Sequence, residues 1–318
     1  SFERSGAAGG EIRRISMESV HKTVLLKETI EGLNLKEIST VIDCTFGGGG
    51  HSLEICQRYP DIKIIALDQD QDVFTNKAKE RFKDLGCDIS FVNANFRDLD
   101  KGDWHNLDGI IFDLGLSSDQ LENSGRGFSF MKDEPLLMTM KENPLPEDIT
   151  AEDIVNTWSE KNLAGIIYGY GEEKFSRRIA KGIVEARAKK KIKTTFDLVK
   201  IIGGAVPERY KKGKLHFATR SFQAIRIAVN DELGALAEGL DKGFKLLKTG
   251  GRMAVISFHS LEDRIVKRFY TKQTKENLAK LINKKPMTAS IEEVKNNPRS
   301  RSAKLRILEK VTATAGQV

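Results

Sequence analysis

Several kinds of site have little support in this 318-residue sequence. The three cysteines, Cys44, Cys56 and Cys87, form no CxxC pair, so we expect reduced, mostly buried thiols and neither a disulfide framework nor a zinc site. The five histidines show no metal-ligand spacing, and we expect no bound metal. No apolar run is long enough to span a membrane, and no secretory signal is evident. We therefore expect a cytoplasmic protein without membrane contacts.

The formal net charge of +7 is compatible with two interpretations. Lysine and arginine attract phosphate at long range, which favours a polyanionic partner. The alternative is a solvated surface with a small excess of lysine. Residues 1–16 are small, polar and glycine-bearing, and we interpret them as a leader or tag, or a disordered native extension, outside the fold.

From residue 41 onward, apolar strands alternate with amphipathic helices. Strands are predicted at 41–44, 62–67, 88–92 and 107–114, with a charged helix over 72–85. This order predicts an α/β fold with a parallel sheet covered by helices on both faces. No convincing strand occurs between about 120 and 215, which indicates a helical insertion. The α/β pattern resumes with a helix over 221–247, a strand over 252–258, a helix over 261–270 and a last strand over 303–308.

A glycine loop is the sharpest local signal. Gly47 to Gly50 lie between the first strand and a helix, and glycines there let the backbone pass close to a ligand. Asp68 ends the second strand, where a carboxylate can accept hydrogen bonds from both ribose hydroxyls of an adenosine. The alternative is a tight turn with an acid that caps a helix. The succession of strand, glycine loop, helix and a second strand that ends in an acid favours an adenosine-binding crevice.

NAD and S-adenosylmethionine both contain adenosine. NAD-binding loops space their glycines as GxGxxG to seat a pyrophosphate on a helix N-terminus. Here the glycines are contiguous, and the nearby Asp43 would repel a pyrophosphate but suit a sulfonium and an ammonium group. The charge therefore favours S-adenosylmethionine over NAD.

The fourth strand ends in DLGLSSDQ over 113–120, at the edge that faces the reactive end of a bound cofactor. Asp113 could bind the donor's amino group, and Gln120 could reach its adenine or methionine portion. The alternative for Asp113 is a strand-ending acid that caps the next helix.

The sequence closely resembles the bacterial 16S ribosomal RNA cytosine-N4 methyltransferases over residues 17 to about 310. The motifs that carry the resemblance are HKTVLL (21–26), TFGGGGH (45–51), DLGLSSDQ (113–120), RGFSFM (126–131), YGEEK (170–174), ATRSFQAIRIAVNDEL (218–233), ISFHSLEDR (256–264) and NPRSRSAKLR (297–306). The resemblance implies a Rossmann-like class I methyltransferase domain with a mainly parallel sheet, interrupted by an inserted all-helical domain. The expected division is a leader or tag (1–16), the first part of the methyltransferase domain (17–120), a helical insertion for substrate recognition (121–215), the second part (216–312) and a tail (313–318).

The resemblance also implies S-adenosylmethionine as cofactor and a decoding-site cytidine of 16S ribosomal RNA, within the small subunit, as substrate. The donor site carried over comprises Gly49, Gly50, His51, Asp68, Phe96, Asp113 and Gln120. The oligomeric state is open, with a homodimer as one alternative.

One segment departs from the family. The usual PLDMRMD reads PLLMTMK here, so that Leu137, Thr139 and Lys141 replace two acids and an arginine. We expect the segment to line the mouth of the active site. The change motivates a second hypothesis, a donor-binding ribosome-assembly factor with weak or altered catalysis.

Methyl transfer to the N4 amine needs an acceptor for an N4 proton and in-line placement of the amine. Asp113 is the candidate catalytic side chain, beside the backbone carbonyls of residues 114–116, and Ser117 and Ser118 are weaker candidates. Phe128 and Phe130 could stack on an unpaired base, or could be core residues. His259 could contact substrate, or cap the following helix.

Basic residues of the insertion are candidates for phosphate contact. Arg177, Arg178 and Lys181 fall on one helix, partly at i, i+4 spacing. The alternative is a solvated helix face. The arginines within 297–306 are a second phosphate candidate.

Overall fold

The computed structural model describes residues 22–142 and 144–312. The expected leader (1–16), the tail (313–318), Met17 and His21 lie outside the described residues. The side chain of Ser118 also lies outside them.

The first part of the chain alternates strands and helices, as predicted. Its elements are α1 (Leu26–Leu33), β1 (Thr40–Asp43), α2 (Gly50–Arg58), β2 (Lys63–Asp68), α3 (Asn76–Glu80), β3 (Asp88–Asn93), β4 (Leu107–Asp113) and α4 (Ser118–Glu122). Short 3₁₀ turns follow β2 (Gln71–Val73) and β3 (Phe96–Lys101).

The middle of the chain is helical and brings its own core. Its helices are α5 (Ala151–Thr157), α6 (Glu160–Gly169), α7 (Ser176–Arg187), α8 (Thr195–Ala205) and α9 (Glu208–Lys211). The members of one buried apolar cluster extend along the sequence from Phe128 to Ile225. The helix that follows this region, Thr219–Asn230, therefore also packs into the cluster.

The last part returns to α/β structure. Its elements are α10 (Thr219–Asn230), α11 (Glu232–Leu246), β5 (Leu247–Ser257), α12 (Ser260–Lys275), β6 (Ala279–Leu281), α13 (Ile291–Asn296), a 3₁₀ turn (Pro298–Ser302) and β7 (Lys304–Lys310).

Seven strands form one sheet in the order β3-β2-β1-β4-β5-β7-β6. The first five in this order are parallel, whereas β7 runs antiparallel to β5, and β6 antiparallel to β7. The strand order reverses direction between β1 and β4, so the loops after these strands diverge and leave a crevice at their carboxyl ends. The Rossmann-like, mainly parallel sheet is therefore confirmed.

Alternate strand residues face opposite layers of helices. Val41 packs into one buried cluster with α1 and α2, and its neighbour Ile42 packs into another with α11 and α12. Burial on both faces explains the nearly continuous apolar runs of the strands.

Two predicted helices are wrong in extent. In place of one helix over 72–85, Thr75 caps a five-residue helix with no buried residue, so tertiary packing gives it little support. The helix predicted over 221–247 breaks at Asp231, which adopts the left-handed conformation (φ 46°) between α10 and α11. The short strand β6 was not predicted.

The expectation of reduced cysteines also needs correction. Cys56 and Cys87 form a disulfide with a Cα–Cα distance of 5.4 Å, and only Cys44 is a free, buried thiol among the described cysteines. The bond joins the end of α2 to the start of β3, a proximity that a separation of 31 residues does not reveal. In the described part of the chain, no helix is long and apolar enough to cross a bilayer.

Candidate active site

A cleft opens at the carboxyl ends of β1, β2 and β4, where the strand order reverses. One wall comes from the loops after these strands, and the opposite wall from the start of α11 and the residues around the start of α12. Its lining includes Gly47, Gly48, Gly50, His51, Asp68, Phe96, Asp113, Ser117, Gln120, Met140, Asn230, Glu232, Phe258, Glu262 and Arg299.

The glycine loop is packed too tightly for side chains. Gly49 begins α2 from the left-handed conformation (φ 70°), and a Cβ there would meet the ring of Phe46 at 2.6 Å. A Cβ on Gly50 would lie 1.7 Å from Oγ1 of Thr23. The loop backbone therefore forms part of the cleft floor, as the glycine pattern predicted.

Asp43 supports this loop from below. Its carboxylate accepts hydrogen bonds from Ser52 Oγ (2.7 Å) and from the backbone N–H of Thr45 (3.3 Å). Burial raises the pKa of Asp43 to about 6, although both hydrogen bonds act in the opposite direction. Asp43 holds a partial negative charge under the loop, which disfavours a bound pyrophosphate.

Asp68 lies at the end of β2, on the cleft wall. Its two carboxylate oxygens accept backbone N–H groups of Gly47 and Asp70, each at 2.9 Å, and these bonds fix its orientation. Burial nevertheless raises the pKa of Asp68 to about 7, with the nearby charges of Asp70 and Asp43 adding to the shift. A ligand that donates hydroxyl hydrogens to this carboxylate would favour its ionised form.

Asp113 ends β4 and faces His51 of α2. Nδ1 of His51 lies 3.6 Å from Oδ2 of Asp113, while Oδ1 of Asp113 is buried without a hydrogen-bond partner among the described residues. Burial raises the pKa of Asp113 well above its usual range, and the charges of Asp43 and Glu262 raise it further. A cation in the cleft would lower this pKa and interact with the unsatisfied Oδ1 of the carboxylate.

A buried polar network fixes Gln120. Its Oε1 accepts the backbone N–H of Ser117 (3.0 Å), and its Nε2 donates to Asp70 Oδ2 (2.7 Å). The same Asp70 oxygen accepts Nη2 of Arg126, whose Nη1 donates to the backbone carbonyl of Met140 (3.0 Å). The network thereby ties the cleft to the segment that leads into the helical region.

Phe96 follows β3 and packs edge-on against Phe112 of β4, with ring centroids 5.5 Å apart. It lines the cleft on the Asp68 side. A flat heterocycle that reached this side of the cleft would find an apolar surface next to the two polar groups of Asn95 and Gln69.

The opposite wall carries two fixed carboxylates. Arg226 donates to both carboxylate oxygens of Glu232, at 2.8 and 2.9 Å. Glu262 accepts the backbone N–H groups of Phe258 (2.8 Å) and His259 (3.2 Å). Burial alone would raise the pKa of Glu262, but its interactions with His259, this backbone and Arg226 outweigh burial and lower it.

The mouth of the cleft is basic where the interior is acidic. Lys22 is exposed there, and the side chain of Arg299 is 37% exposed and bonded to Glu122 of α4. Asn297 reaches the same edge and donates to the backbone carbonyl of Lys22 (2.8 Å). The charge distribution suits a ligand that is cationic inside the cleft and a phosphate-bearing molecule at its mouth.

The structure gathers most, but not all, of the predicted site residues. Gly50, His51, Asp68, Phe96, Asp113, Gln120 and Ser117 line the cleft, and Gly49 adjoins it at the start of α2. His259 caps α12 in a capping box and does not line the cleft, although its neighbours Phe258 and Glu262 do. Phe128 is 6% exposed, in the helical core. Arg177, Arg178 and Lys181 are exposed on α7 and are not among the residues that line the cleft.

The segment that departs from the family reaches the cleft through one residue. Met140 lines it, whereas Leu137, Thr139 and Lys141 do not. Thr139 is 4% exposed, and Lys141 Nζ is bonded to Asp148 (2.6 Å). The charge difference therefore lies behind or beside the cleft wall.

Sequence reasoning missed the opposite wall and the support of Gln120. Asn230, Glu232 and Glu262 belong to the motifs that carry the family resemblance, but nothing in the sequence indicated that they line the cleft. Asp70 follows Asp68 by two residues, and this repeated acid was the available signal for a second structural carboxylate.

The residues present fit an adenosyl sulfonium. The unsatisfied buried Oδ1 of Asp113, the acidic interior and the close glycine backbone all suit a nucleoside with a cationic tail. Within residues 22–142 and 144–312, no three His, Cys, Asp or Glu side chains are grouped so as to hold a metal ion.

The sheet order, with a cleft at its switch point, is that of a Rossmann-like fold, and the family match makes the protein a methyltransferase. Residues 18–311 match the family model described as the MraW methylase family, and the chain belongs to this family. It is 43% identical over 315 residues to "Ribosomal RNA small subunit methyltransferase H" of Clostridioides difficile (strain 630), covering 93% of this chain and 100% of that protein. A relative with the same name from Sulfurihydrogenibium sp. (strain YO3AOP1) is 47% identical over 291 residues, covering 90% of this chain and 98% of the relative.

Proposed function

We propose that the protein transfers a methyl group from S-adenosylmethionine to the exocyclic N4 of a decoding-site cytidine in 16S ribosomal RNA. The observation that carries this proposal is the match over residues 18–311 together with an acidic nucleoside cleft inside the matched region. The relatives' name gives their substrate as small-subunit ribosomal RNA. The protein is a methyltransferase that depends on S-adenosylmethionine, which supplies an electrophilic methyl group when bound.

In this proposal each cleft residue contacts a different part of the donor. Asp68 accepts hydrogen bonds from the ribose hydroxyls, and Phe96 lies beside the adenine. Asp113 accepts a hydrogen bond from the amino group of the methionine tail, and Gln120 contacts the remainder. Gly49, Gly50 and His51 bring the loop backbone and one imidazole against the donor.

Asp113 also lies where it could accept a hydrogen bond from the N4 amine of the target cytosine. The N4 lone pair of cytosine is delocalised into the ring, so it needs orientation and a hydrogen-bond acceptor for one N4 proton. In this proposal the acceptor is the Asp113 carboxylate or a backbone carbonyl of residues 114–116, all of which belong to residues that line the cleft. Formation of the N4–CH₃ bond would be balanced by cleavage of the donor's sulfur–methyl bond and departure of S-adenosylhomocysteine. N4 would then lose one proton, which an ionised Asp113 would accept or pass to water.

The RNA has to enter with its target base unpaired, because a paired base cannot reach the cleft floor. Lys22 and Arg299 at the mouth suit contacts with its phosphates. For Ser117, Ser118, Phe128, His259, Arg177, Arg178 and Lys181, a role in RNA binding stays a prediction. We further propose an assembled small subunit in the cytoplasm as the substrate, with residues 121–215 as the recognition domain between methyltransferase parts 17–120 and 216–312. A homodimer stays an alternative.

The test is methyl transfer from tritiated donor to small-subunit particles that lack the modification, followed by nucleoside analysis of the RNA. We expect label in N4-methylated cytidine. Donor binding without any transfer would contradict the proposal and favour the assembly-factor hypothesis.

A further inference from the structure

Exposed apolar side chains gather on one face of the helical region. Met131, Phe196 and Leu215 are 71%, 48% and 45% exposed, and they are three of the nine large hydrophobic side chains exposed in the described part of the chain. Partly buried aromatic rings lie among them. We call Phe130, Met131, Phe196, Leu215, His216 and Phe217 the aromatic patch.

Ring contacts connect three of the chain segments that form the patch. The ring of Phe130 stacks on His216, with centroids 4.5 Å apart and planes 5° apart, and Phe217 lies next to His216 at 4.3 Å. The Phe217 ring also packs against Gly203 of α8, where a Cβ would meet it at 3.3 Å. On the same helix, the backbone N–H of Phe196 donates to Asp133 (3.4 Å), which follows Met131 by two residues in the sequence.

The surroundings of the patch are strongly basic. Residues 189–214 contain nine Lys or Arg and two Asp or Glu, a formal charge of +7 that equals the net charge of the whole chain. Within this stretch Lys200, Lys212 and Lys214 are exposed. This stretch of the helical region is therefore strongly positive, and it includes the helix that carries Phe196 and the residues directly before Leu215.

Rings among lysines fit one class of partner best. Unpaired RNA bases stack on aromatic side chains, and lysines contact the backbone between them. The interior of a protein–protein interface is poor in lysine, so a protein partner would leave this charge without a counterpart. Burial lowers the pKa of His216 and so favours its neutral ring, which stacks without a charge to desolvate.

We propose that the aromatic patch binds unpaired bases of small-subunit ribosomal RNA that flank the target nucleotide, while the lysines of residues 189–214 contact the neighbouring phosphates. This inference rests on the proposed function and adds a second RNA-binding surface, outside the cleft.

The first test compares matched surface variants. Phe196→Ser combined with Leu215→Ser removes two exposed patch residues and leaves the more buried rings in place. Ile38→Ser combined with Ile291→Ser is the control, because these side chains are 89% and 91% exposed elsewhere. We expect the patch variant to bind particles that lack the modification at least fivefold more weakly, with a raised KM and unchanged S-adenosylhomocysteine affinity. The control should stay within twofold of wild type.

The second test identifies the partner directly. With p-benzoylphenylalanine in place of Phe196, irradiation of the protein–particle complex should crosslink it to 16S RNA. Crosslinks only to a ribosomal protein or to a second copy of this chain would overturn the inference. If the wild type methylates the particles and the patch variant binds them as tightly as the wild type does, the proposal for the patch is contradicted and the proposed function is not. If the wild-type protein binds the particles but does not methylate them, the proposed function is contradicted and the proposal for the patch is not.

Discussion

Asp70 and Arg126 form a buried ion pair, with side chains 1% and 7% exposed, across 56 residues of sequence. Asp70 also accepts Nε2 of Gln120 (2.7 Å), so one carboxylate holds a cleft residue and the start of the helical region together. The pair lies between the donor site and the segment that reaches Met140.

Replacing Asp70 should therefore destabilise the fold. Asp70→Asn leaves the buried guanidinium of Arg126 without its anion, which typically costs about 3 kcal/mol in free energy of unfolding. Urea unfolding monitored by circular dichroism measures this change. Asp72→Asn, at an exposed neighbouring acid, is the control and should change stability by less than about 0.5 kcal/mol. Equal stability of the two variants would show that the ion pair is not structural.

Donor-site binding should depend on pH through Asp68. Its pKa of about 7 means that part of the free protein carries this carboxyl protonated at neutral pH. Ribose hydroxyls favour the ionised form, so binding releases a proton, and S-adenosylhomocysteine affinity should rise between pH 6 and pH 8. Calorimetry in buffers of different ionisation enthalpy counts the protons released. Asp68→Asn should bind more weakly and release fewer protons, with a difference that approaches one proton only well below pH 7, and equal proton release by both proteins would argue against the ribose role.

The glycine loop should tolerate no side chain at Gly50. A Cβ there overlaps Oγ1 of Thr23, so Gly50→Ala has to displace residue 23 or the start of α2, both part of the donor cleft. We expect donor affinity to fall at least tenfold, measured by calorimetry with S-adenosylhomocysteine. Gly165→Ala on α6 is the matched control, because a Cβ there meets nothing within 4 Å, and it should stabilise the protein by about 0.5–1 kcal/mol. Undiminished affinity of Gly50→Ala would contradict the packing described for the loop.

Arg299 at the cleft mouth should affect RNA binding but not donor binding. Its bond to Glu122 is partly exposed, with side chains 37% and 49% accessible, and adds at most about 1 kcal/mol to stability. If Arg299 contacts a phosphate, Arg299→Ala should raise the KM for small-subunit particles. It should also reduce the slope of the logarithm of the binding constant against the logarithm of the salt concentration by about one. Arg268→Ala, at an exposed arginine of α12, is the control. A salt dependence equal to that of the control variant would exclude the phosphate contact.

The strand pattern predicted the parallel part of the sheet because each buried strand is a short apolar run, such as the residues around Ile64 and Ile110. Helix ends were harder to predict, since they depend on single residues and on tertiary packing. Asp231 breaks a periodic apolar pattern by adopting the left-handed conformation, and Arg226 bridges the break to Glu232. Neither residue type requires such a break.

For the site, the sequence predicted the residues next to strand ends, such as Asp68 and Asp113. It could not predict contacts between distant segments. Met140 and Glu262 reach the cleft only because the helical region and α12 pack against the sheet edge, and the Cys56–Cys87 bond depends on the same kind of proximity. Side-chain chemistry was visible in the sequence, whereas these distances depend on the tertiary fold.

The central claim is that this acidic cleft binds an adenosyl sulfonium. Isothermal titration of the wild-type protein with S-adenosylmethionine, S-adenosylhomocysteine and NAD at pH 8 tests it most directly. We predict saturable one-to-one binding of both sulfur compounds and no measurable binding of NAD, because the Asp43 carboxylate under the glycine loop repels a pyrophosphate. Binding of NAD with comparable or greater affinity, or no binding of either sulfur compound, would contradict the account.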